Sequence, residues 1–221
     1  MRTAAVLPVK SFGRAKQRLG AAVGQPDRAE LAAGMVGDVL AALDTVPGLD
    51  ELVVVTAEPR AAAAAEAAGA HVVHDPAETG QSDAAARGIE AAVARGAERV
   101  LLVPGDCPAL DPGEVAALLT RFGDAGVVIV PDRHGSGTNA LLLTPAGAIP
   151  PSFGPGSFAR HAALGAAAGA TVRVAHAPSL ELDVDTPGDL AALRAALARH
   201  PSAAPRTRAL LDRMAPRSAV A

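Results

Sequence analysis

Short apolar runs rich in Val and Leu alternate along most of this chain with longer segments rich in Ala and Leu. The short runs predict strands over residues 4–7, 52–56, 71–73, 100–103, 127–130, 140–143, 171–174 and 180–184. The longer segments predict helices over residues 27–43, 59–68, 83–95, 112–121, 158–168 and 187–199. Near-continuous apolar strands that alternate with helices predict the α/β class: three layers (α/β/α), with a mostly parallel sheet covered on both faces.

The alternation stops near residue 200, which divides the chain into two parts. We expect a single domain over residues 1–200. Residues 201–221 contain three Pro and four Arg against one Asp, without a sustained apolar period. That composition predicts a poorly ordered C-terminal tail. A short helix over residues 207–214 that docks on the body is the alternative.

Positive charge is concentrated in the loop after the first predicted strand. Lys10, Arg14, Lys16 and Arg18 lie within nine residues, and the two lysines are the only ones among 20 Lys and Arg residues. Lys carries a compact point charge that the planar fork of Arg does not replace. A cationic loop at the carboxyl end of a strand suits a nucleoside triphosphate. A solvated basic loop is the alternative.

A second motif, P-G-D-C-P, follows the strand predicted at 100–103 and contains Asp106. An Asp after a strand is often the N-cap of the next helix. Here that helix has its own cap in Asp111, followed by Pro112 and Glu114. Asp106 therefore has no evident structural task, and a rigid carboxylate at a strand end is a good Mg²⁺ ligand.

Asp183 and Asp185 form a third motif, in the sequence L-D-V-D-T-P. If residues 180–184 continue as a strand, alternation places both carboxylates on the same side. Two like charges on one face repel unless a cation lies beside them. A metal ion shared with Asp106 would relieve this repulsion. The alternative is a polar face of an edge strand.

Three further loops could contact ligands. The loop at 132–139 contains G-x-G-x-x-A, but a strand-like run follows it, so we reject a dinucleotide fingerprint, which must open a helix. The loop at 153–161 opens a helix, and its free N–H groups and the Ser157 hydroxyl suit a small anion. An ordinary Ser N-cap is the alternative at Ser157. The polar loop at 75–83 is a weaker candidate for contacts to a base or ribose.

Charge and composition exclude several classes of partner. The net charge of −3 offers no basic surface for nucleic acid and no polybasic patch for a membrane. No apolar run approaches the roughly 20 residues that span a bilayer. Cys107 is the only cysteine, which excludes an internal disulfide and suits a reducing compartment. We therefore expect a cytoplasmic protein.

Together these motifs resemble the 2-phospholactate/phosphoenolpyruvate guanylyltransferases, which serve the biosynthesis of the deazaflavin coenzyme F-420. The resemblance is carried by residues 8–19, 104–108, 134–143, 153–161 and 182–187. It implies the nucleotide-diphospho-sugar transferase fold (GT-A-like). It also implies a Mg²⁺-dependent reaction in which GTP and a small phosphorylated carboxylic acid are joined and pyrophosphate is released. For the oligomeric state, both a monomer and a homodimer stay open.

The resemblance also implies roles for individual residues. Lys16 and Asp106 would be catalytic, and Asp106, Asp183 and Asp185 would bind Mg²⁺. The nucleotide would be bound by Lys10, Arg14, Lys16 and Arg18 at the triphosphate and by Gly80 and Ser82 near the base or ribose. The acid would be bound by Thr138, Gly154 and Ser157.

The choice of acid rests on the same resemblance. The Ala- and Arg-rich composition looks actinobacterial, and relatives there are associated with phosphoenolpyruvate rather than 2-phospholactate. Three other functions remain open at this point. They are a nucleotidyltransferase for another phosphorylated acceptor, of the molybdenum-cofactor or sugar-phosphate type, a nucleotide-sugar glycosyltransferase, and a catalytically silent nucleotide-binding module.

Overall fold

The computed structural model of the chain describes residues 1–14, 16–20 and 24–214, and the side chain of Arg14 lies outside that described part. The strands are β1 (Thr3–Val9), β2 (Glu51–Thr56), β3 (His71–His74), β4 (Arg99–Leu102), β5 (Val127–Pro131), β6 (Thr138–Leu143) and β7 (Val172–Val174). The helices are α1 (Gln25–Leu43), α2 (Pro59–Ala67), α3 (Gln81–Ala94), α4 (Pro112–Arg121), α5 (Ser157–Ala167), α6 (Pro178–Glu181), α7 (Pro187–Arg199) and α8 (Pro205–Met214).

The strands form one seven-stranded sheet in the order β3-β2-β1-β4-β6-β5-β7. β6 runs antiparallel to β4 and β5, and the other neighbouring strands pair in parallel. The mostly parallel sheet predicted from the sequence is therefore confirmed. Because β6 is antiparallel, its first residues lie at the same edge as the carboxyl end of β4, where Leu102 pairs with Leu141.

Alternation along the strands divides the apolar core into two layers. In β1, Ala5 and Leu7 belong to the cluster that packs on α1, α2 and α4, whereas Ala4 and Val6 face the cluster of α3 and α5. Successive side chains of a strand point to opposite faces, so an apolar strand needs helices on both sides. The three-layer arrangement is thus confirmed. None of the described helices has the length and apolar character needed to cross a membrane.

The strand predicted at 180–184 is wrong. Residues 178–181 form the short helix α6, and the four residues after it have no regular secondary structure. Leu180 and Val184 are fully buried. The apolar residues at 180–184 therefore reflect burial in the core and not pairing with a neighbouring strand. A short apolar run does not distinguish these outcomes by its periodicity.

The segment after residue 200 also differs from the expected tail. Residues 205–214 form α8, which packs against α1, and Leu210 and Leu211 join an apolar cluster with Leu31. The Asp38 carboxylate in α1 accepts hydrogen bonds from the backbone N–H groups of Arg206, at 3.1 Å, and Thr207, at 2.7 Å. For residues 205–214 the expectation of poor order is therefore corrected in favour of the docked helix. Residues 215–221 lie outside the described residues, and the domain boundary at 200 stays a prediction.

Docking of α8 leads to the first testable prediction. Leu211 is 2% exposed, and truncating a buried Leu to Ala typically costs about 2–5 kcal/mol. We expect Leu211→Ala to lower the free energy of unfolding by about that amount in urea denaturation. The matched change Arg213→Ala, at an exposed position of the same helix, should stay within about 0.5 kcal/mol of the original chain. Equal stability of the two variants would contradict the docking.

Candidate functional site

A cavity of about 510 Å³ opens at the carboxyl edge of β1 and β4. Lys10 follows the last residue of β1, and Asp106 lies four residues beyond the end of β4. Both line this cavity together with Lys16, Gly80 and Asp185. The structure therefore brings one part of each of four predicted motifs to one place, as expected for the carboxyl edge of an α/β sheet.

Three carboxylates form the centre of this edge. One oxygen from each of Asp106, Asp183 and Asp185 lies within 4.8 Å of the others. The backbone N–H of Val184 donates a 3.1 Å hydrogen bond to the carbonyl of Asp106, which ties the two acidic segments together. The predicted cluster therefore forms, although an irregular segment carries two of its members instead of a strand.

Lys16 provides the positive charge beside this cluster. Its Nζ lies 2.5 Å from Oδ2 of Asp106 and 3.0 Å from Oδ1 of Asp185, and its side chain is only 7% exposed. Burial acts to lower the pKa of Lys16, but the charges of Asp106 and Asp185 and their hydrogen bonds raise it above its ordinary value. The ammonium group is therefore permanently charged near neutral pH.

The backbone at Lys16 adopts an uncommon conformation that supports this contact. Its φ of 57° and ψ of 32° lie in the left-handed region, between two short 3-10 turns at Phe12–Arg14 and Gln17–Leu19. Residues other than glycine seldom occupy that region, and such outliers are often found at functional sites. Here the ion pairs of Lys16 with Asp106 and Asp185 are the described contacts that can offset the cost of this conformation.

Both burial and the negative charge of its neighbours act on the carboxyl group of Asp183. Burial raises the pKa of this carboxyl group to about 6, and the neighbouring charge of Asp106 adds to the effect. Asn139 opposes the shift, because its Nδ2 donates a 3.2 Å hydrogen bond to Oδ1 of Asp183. A divalent cation among the three carboxylates would stabilise their ionised forms, and oxygen ligands of this type suit Mg²⁺. The residues therefore fit a metal ion.

The other predicted cations are arranged differently. Lys10 lines the cavity and is exposed, so its ammonium group is accessible to a ligand there. Arg18 is also exposed but is not among the described residues that line the cavity. The side chain of Arg14 lies outside the described residues. Of the four cations predicted to bind triphosphate, the structure thus brings Lys10 and Lys16 to the cavity.

Gly80 and Ser82 lie at the start of α3. Gly80 is the N-cap residue, with φ of 142°, a conformation that side chains disfavour, and it lines the cavity. The Ser82 hydroxyl accepts a 2.9 Å hydrogen bond from the backbone N–H of Phe153. The loop at the cavity is thereby joined to the glycine-rich loop that precedes α5.

Thr138 and Ser157 meet beside that glycine-rich loop. The Ser157 Oγ accepts a 2.8 Å hydrogen bond from the backbone N–H of Thr138, and both residues are buried. Gly156, with φ of 73°, is the N-cap of α5, so the Ser N-cap alternative is wrong. Gly154 is exposed nearby, with φ of 101°. Thr138, Gly154 and Ser157 do not line the 510 Å³ cavity.

Two contacts place this group next to the cavity. Asn139, which follows Thr138 in β6, bonds to Asp183 of the acidic cluster, and Phe153 bonds to Ser82. The predicted acid-binding residues thus lie beside both the carboxylates and the start of α3.

Sequence reasoning gave no role to two residues of this region. Asn139 is the single Asn of the chain, and its amide donates hydrogen bonds to both Asp183 and the carbonyl of Leu180. His161 is fully buried and contacts Thr138 and Ser152. No spacing rule identified either one, because their partners are distant in the chain.

Comparison with known proteins identifies the family. A family model described as "Guanylyl transferase CofC like" matches residues 3–196. A phosphoenolpyruvate guanylyltransferase from Conexibacter woesei is 48% identical over 216 residues, which covers 97% of this chain and 97% of the relative. This chain belongs to the CofC-like guanylyl transferase family. The resemblance inferred from the sequence is therefore confirmed, and guanylyl transfer is the activity that these relatives support.

Other similar proteins agree with this CofC-like assignment. A phosphoenolpyruvate guanylyltransferase from Thermomonospora curvata is 43% identical over 95% of this chain and 88% of its own length. Among solved structures, one described as a nucleotide-diphospho-sugar transferase from Desulfovibrio desulfuricans G20 has a TM-score of 0.77. It is 19% identical and covers 96% of this chain and 95% of that chain. This likeness confirms the predicted nucleotide-diphospho-sugar transferase fold.

The buried His161 gives a prediction about pH. Burial, aided by the charge of Arg160, lowers its pKa from 6.5 to about 4. Between those pH values the unfolded chain binds a proton at this position and the folded chain does not. Stability contributed by the neutral ring is therefore present above pH 6.5 and lost as the pH falls toward 4.

We expect the free energy of unfolding to fall between pH 6.5 and 4 more steeply in the original CofC-like chain than in His161→Asn. The difference should approach about 3 kcal/mol at full effect. Urea denaturation at a series of pH values measures it. His200→Gln, at an exposed histidine, is the control and should keep the original slope. Parallel pH profiles for all three proteins would refute the prediction.

Proposed function

We propose that this CofC-like protein transfers GMP from GTP to phosphoenolpyruvate, releases pyrophosphate, and serves coenzyme F-420 biosynthesis in the cytoplasm. The observation that carries the proposal is the buried contact of Lys16 with Asp106 and Asp185, which all line the cavity. The names of the relatives support the choice of acceptor, since those at 48% and 43% identity are called phosphoenolpyruvate guanylyltransferases.

The chemistry requires charge neutralisation more than proton transfer. A phosphate oxygen of the acid attacks the α-phosphorus of GTP, the bond to the bridging oxygen breaks, and pyrophosphate leaves. Because the nucleophile is already anionic, the reaction needs no strong general base. Catalysis then depends on holding the two anions close together and stabilising the charge on the transferred phosphoryl group.

Lys10 and Lys16 are suited to that task. Lys10 places an exposed ammonium group at the cavity, and Lys16 holds a buried one between two carboxylates. We assign both to the triphosphate, with Arg14 and Arg18 as further candidates in the same loop. Asp106, Asp183 and Asp185 would hold Mg²⁺, which supplies positive charge to the phosphate oxygens when bound.

We assign the two substrates to two groups of residues. The 510 Å³ cavity, with Gly80 at its wall and Ser82 as the second residue of α3, is assigned to the nucleotide. Thr138, Gly154 and Ser157 are assigned to phosphoenolpyruvate, since hydroxyl and backbone N–H groups are good donors to anionic oxygens. Asp106 and Asp185 line the cavity, and Asp183 bonds to Asn139 next to Thr138. The phosphate of one substrate would therefore meet the α-phosphorus of the other near the carboxylates.

A direct assay tests the proposed reaction. Purified protein with GTP and Mg²⁺ is given phosphoenolpyruvate, 2-phospholactate or 3-phosphoglycerate, and pyrophosphate release and product mass are measured. We expect guanylylated enolpyruvate, formed with the highest kcat/KM of the three. A tenfold preference for another acid, or release of nucleoside diphosphate from a sugar nucleotide instead, would overturn the assignment. GTP binding without any turnover would support the silent module.

Loss of one carboxylate tests the catalytic role of the cluster. We expect Asp106→Asn to fold normally, because Asp111 caps α4 through its bonds to Gly113 and Glu114. Turnover should fall by about 10²-fold or more, the usual cost of removing one charge-stabilising contact. Asp44→Asn, at an exposed position remote from the cluster, is the matched control and should keep full activity. Near-normal pyrophosphate release by Asp106→Asn would exclude the assigned role.

A further inference from the structure

His161 lies fully buried in α5, between the predicted acid-binding residues and the segment before the glycine-rich loop. Its Nε2 lies 2.8 Å from the backbone N of Ser152, and its Nδ1 lies 2.9 Å from Oγ1 of Thr138. The ring of Phe153 packs edge-on against the imidazole, with centroids 5.1 Å apart. Three contacts therefore fix the orientation of one side chain that the reaction described above does not use.

The backbone contact determines which ring nitrogen carries the proton. The Ser152 N–H can only donate, so Nε2 must be the acceptor and carries no proton. Burial lowers the pKa of His161 to about 4, with help from Arg160, so the ring is neutral near pH 7. A neutral imidazole has one N–H, which is then at Nδ1. The ring therefore donates to the Thr138 hydroxyl.

This direction leaves the hydroxyl protons of Thr138 and Ser157 available. Thr138 Oγ1 accepts from His161, and Ser157 Oγ accepts from the backbone N–H of Thr138. Within the described residues, neither hydroxyl then has a protein group that accepts its own proton. Thr138 is 7% exposed and Ser157 is 1% exposed, so Thr138 is the more accessible donor. A hydroxyl group that already accepts one hydrogen bond and has its proton free can donate that proton to an anionic oxygen.

We propose that His161 is a positioning residue for the acceptor acid. Its Nδ1–H fixes the Thr138 hydroxyl so that the hydroxyl proton points to an anionic oxygen of phosphoenolpyruvate. This inference rests on the proposed function, which places that acid beside Thr138. Without the imidazole donor, the hydroxyl is free to turn its proton toward position 161, and the prearranged contact is lost.

A purely structural role for His161 makes a different prediction. In that case its bond to Ser152 would be the important one, since it supports the loop before Gly154. Two substitutions separate the roles. Asn places an amide N–H near the position of Nδ1 and keeps the donor to Thr138, whereas Gln places an amide oxygen near Nε2 and keeps the acceptor for Ser152.

Steady-state kinetics with GTP, Mg²⁺ and phosphoenolpyruvate provide the test. We expect His161→Gln to raise KM for phosphoenolpyruvate by about tenfold or more, the usual effect of losing a hydrogen bond to a charged group. KM for GTP should change less than twofold. His161→Asn should stay closer to the original value, and Thr138→Val combined with His161→Gln should be no worse than Thr138→Val alone. His200→Gln serves as the control for an exposed histidine.

The outcomes are distinct from failure of the proposed function. If the original chain releases no pyrophosphate with phosphoenolpyruvate, the proposed function is wrong. If it does, unchanged KM in His161→Gln, additive effects in the double variant, or a larger defect in Asn than in Gln would overturn the positioning role.

Nitrogen-15 NMR of the labelled original chain gives a readout that needs no activity. We expect His161 to be protonated at Nδ1 and unprotonated at Nε2, and the opposite tautomer would also overturn it.

Discussion

The mutual repulsion of three carboxylates is the constraint on which the site depends. Asp106, Asp183 and Asp185 are brought together by chain segments distant in sequence, and their negative charges must be compensated. Lys16 supplies part of that compensation from within hydrogen-bonding distance. Its burial would be costly without the two acids, and the proximity of the acids would be costly without a cation. The loop after β1, the loop after β4 and the segment before α7 therefore depend on one another.

Sheet topology explains why these segments can meet. β1 and β4 are parallel neighbours, so the loops that follow them leave the same edge. β6 runs in the opposite direction, which brings its first residues, Thr138 and Asn139, to that edge as well. Asn139 then bonds to Asp183, and the adjoining Thr138 bonds to His161. One antiparallel strand in a parallel sheet thus places the acid-binding candidates beside the carboxylates.

Much of the fold could be predicted because its signals are local. The helix at Pro112–Arg121 was bounded correctly, since Asp111 does cap it, and this freed Asp106 for another role. The grouping of Asp106 with Asp183 and Asp185 could also be predicted, because two like charges close together require a cation beside them. The sequence therefore predicted the acidic cluster from the charges of its residues.

The errors arose where partners are distant. The strand predicted at 180–184 is wrong because burial alone, without pairing, gave its apolar pattern. α8 was underestimated because the carboxylate that caps it, Asp38, belongs to α1. His161 escaped notice because its two hydrogen bonds depend on how β6 and α5 pack. Tertiary contacts between residues distant in the chain produce no periodic pattern in the sequence from which they could be predicted.

We propose, as the central claim, that the three carboxylates bind a divalent cation next to the nucleotide. Mn²⁺ titration monitored by electron paramagnetic resonance tests it most directly, with GTP present and the original chain compared with Asp183→Asn. Because Asp183 is one of the three clustered ligands, the account predicts that this variant weakens Mn²⁺ binding by about tenfold or more. Equal Mn²⁺ affinity in the two proteins would contradict the account.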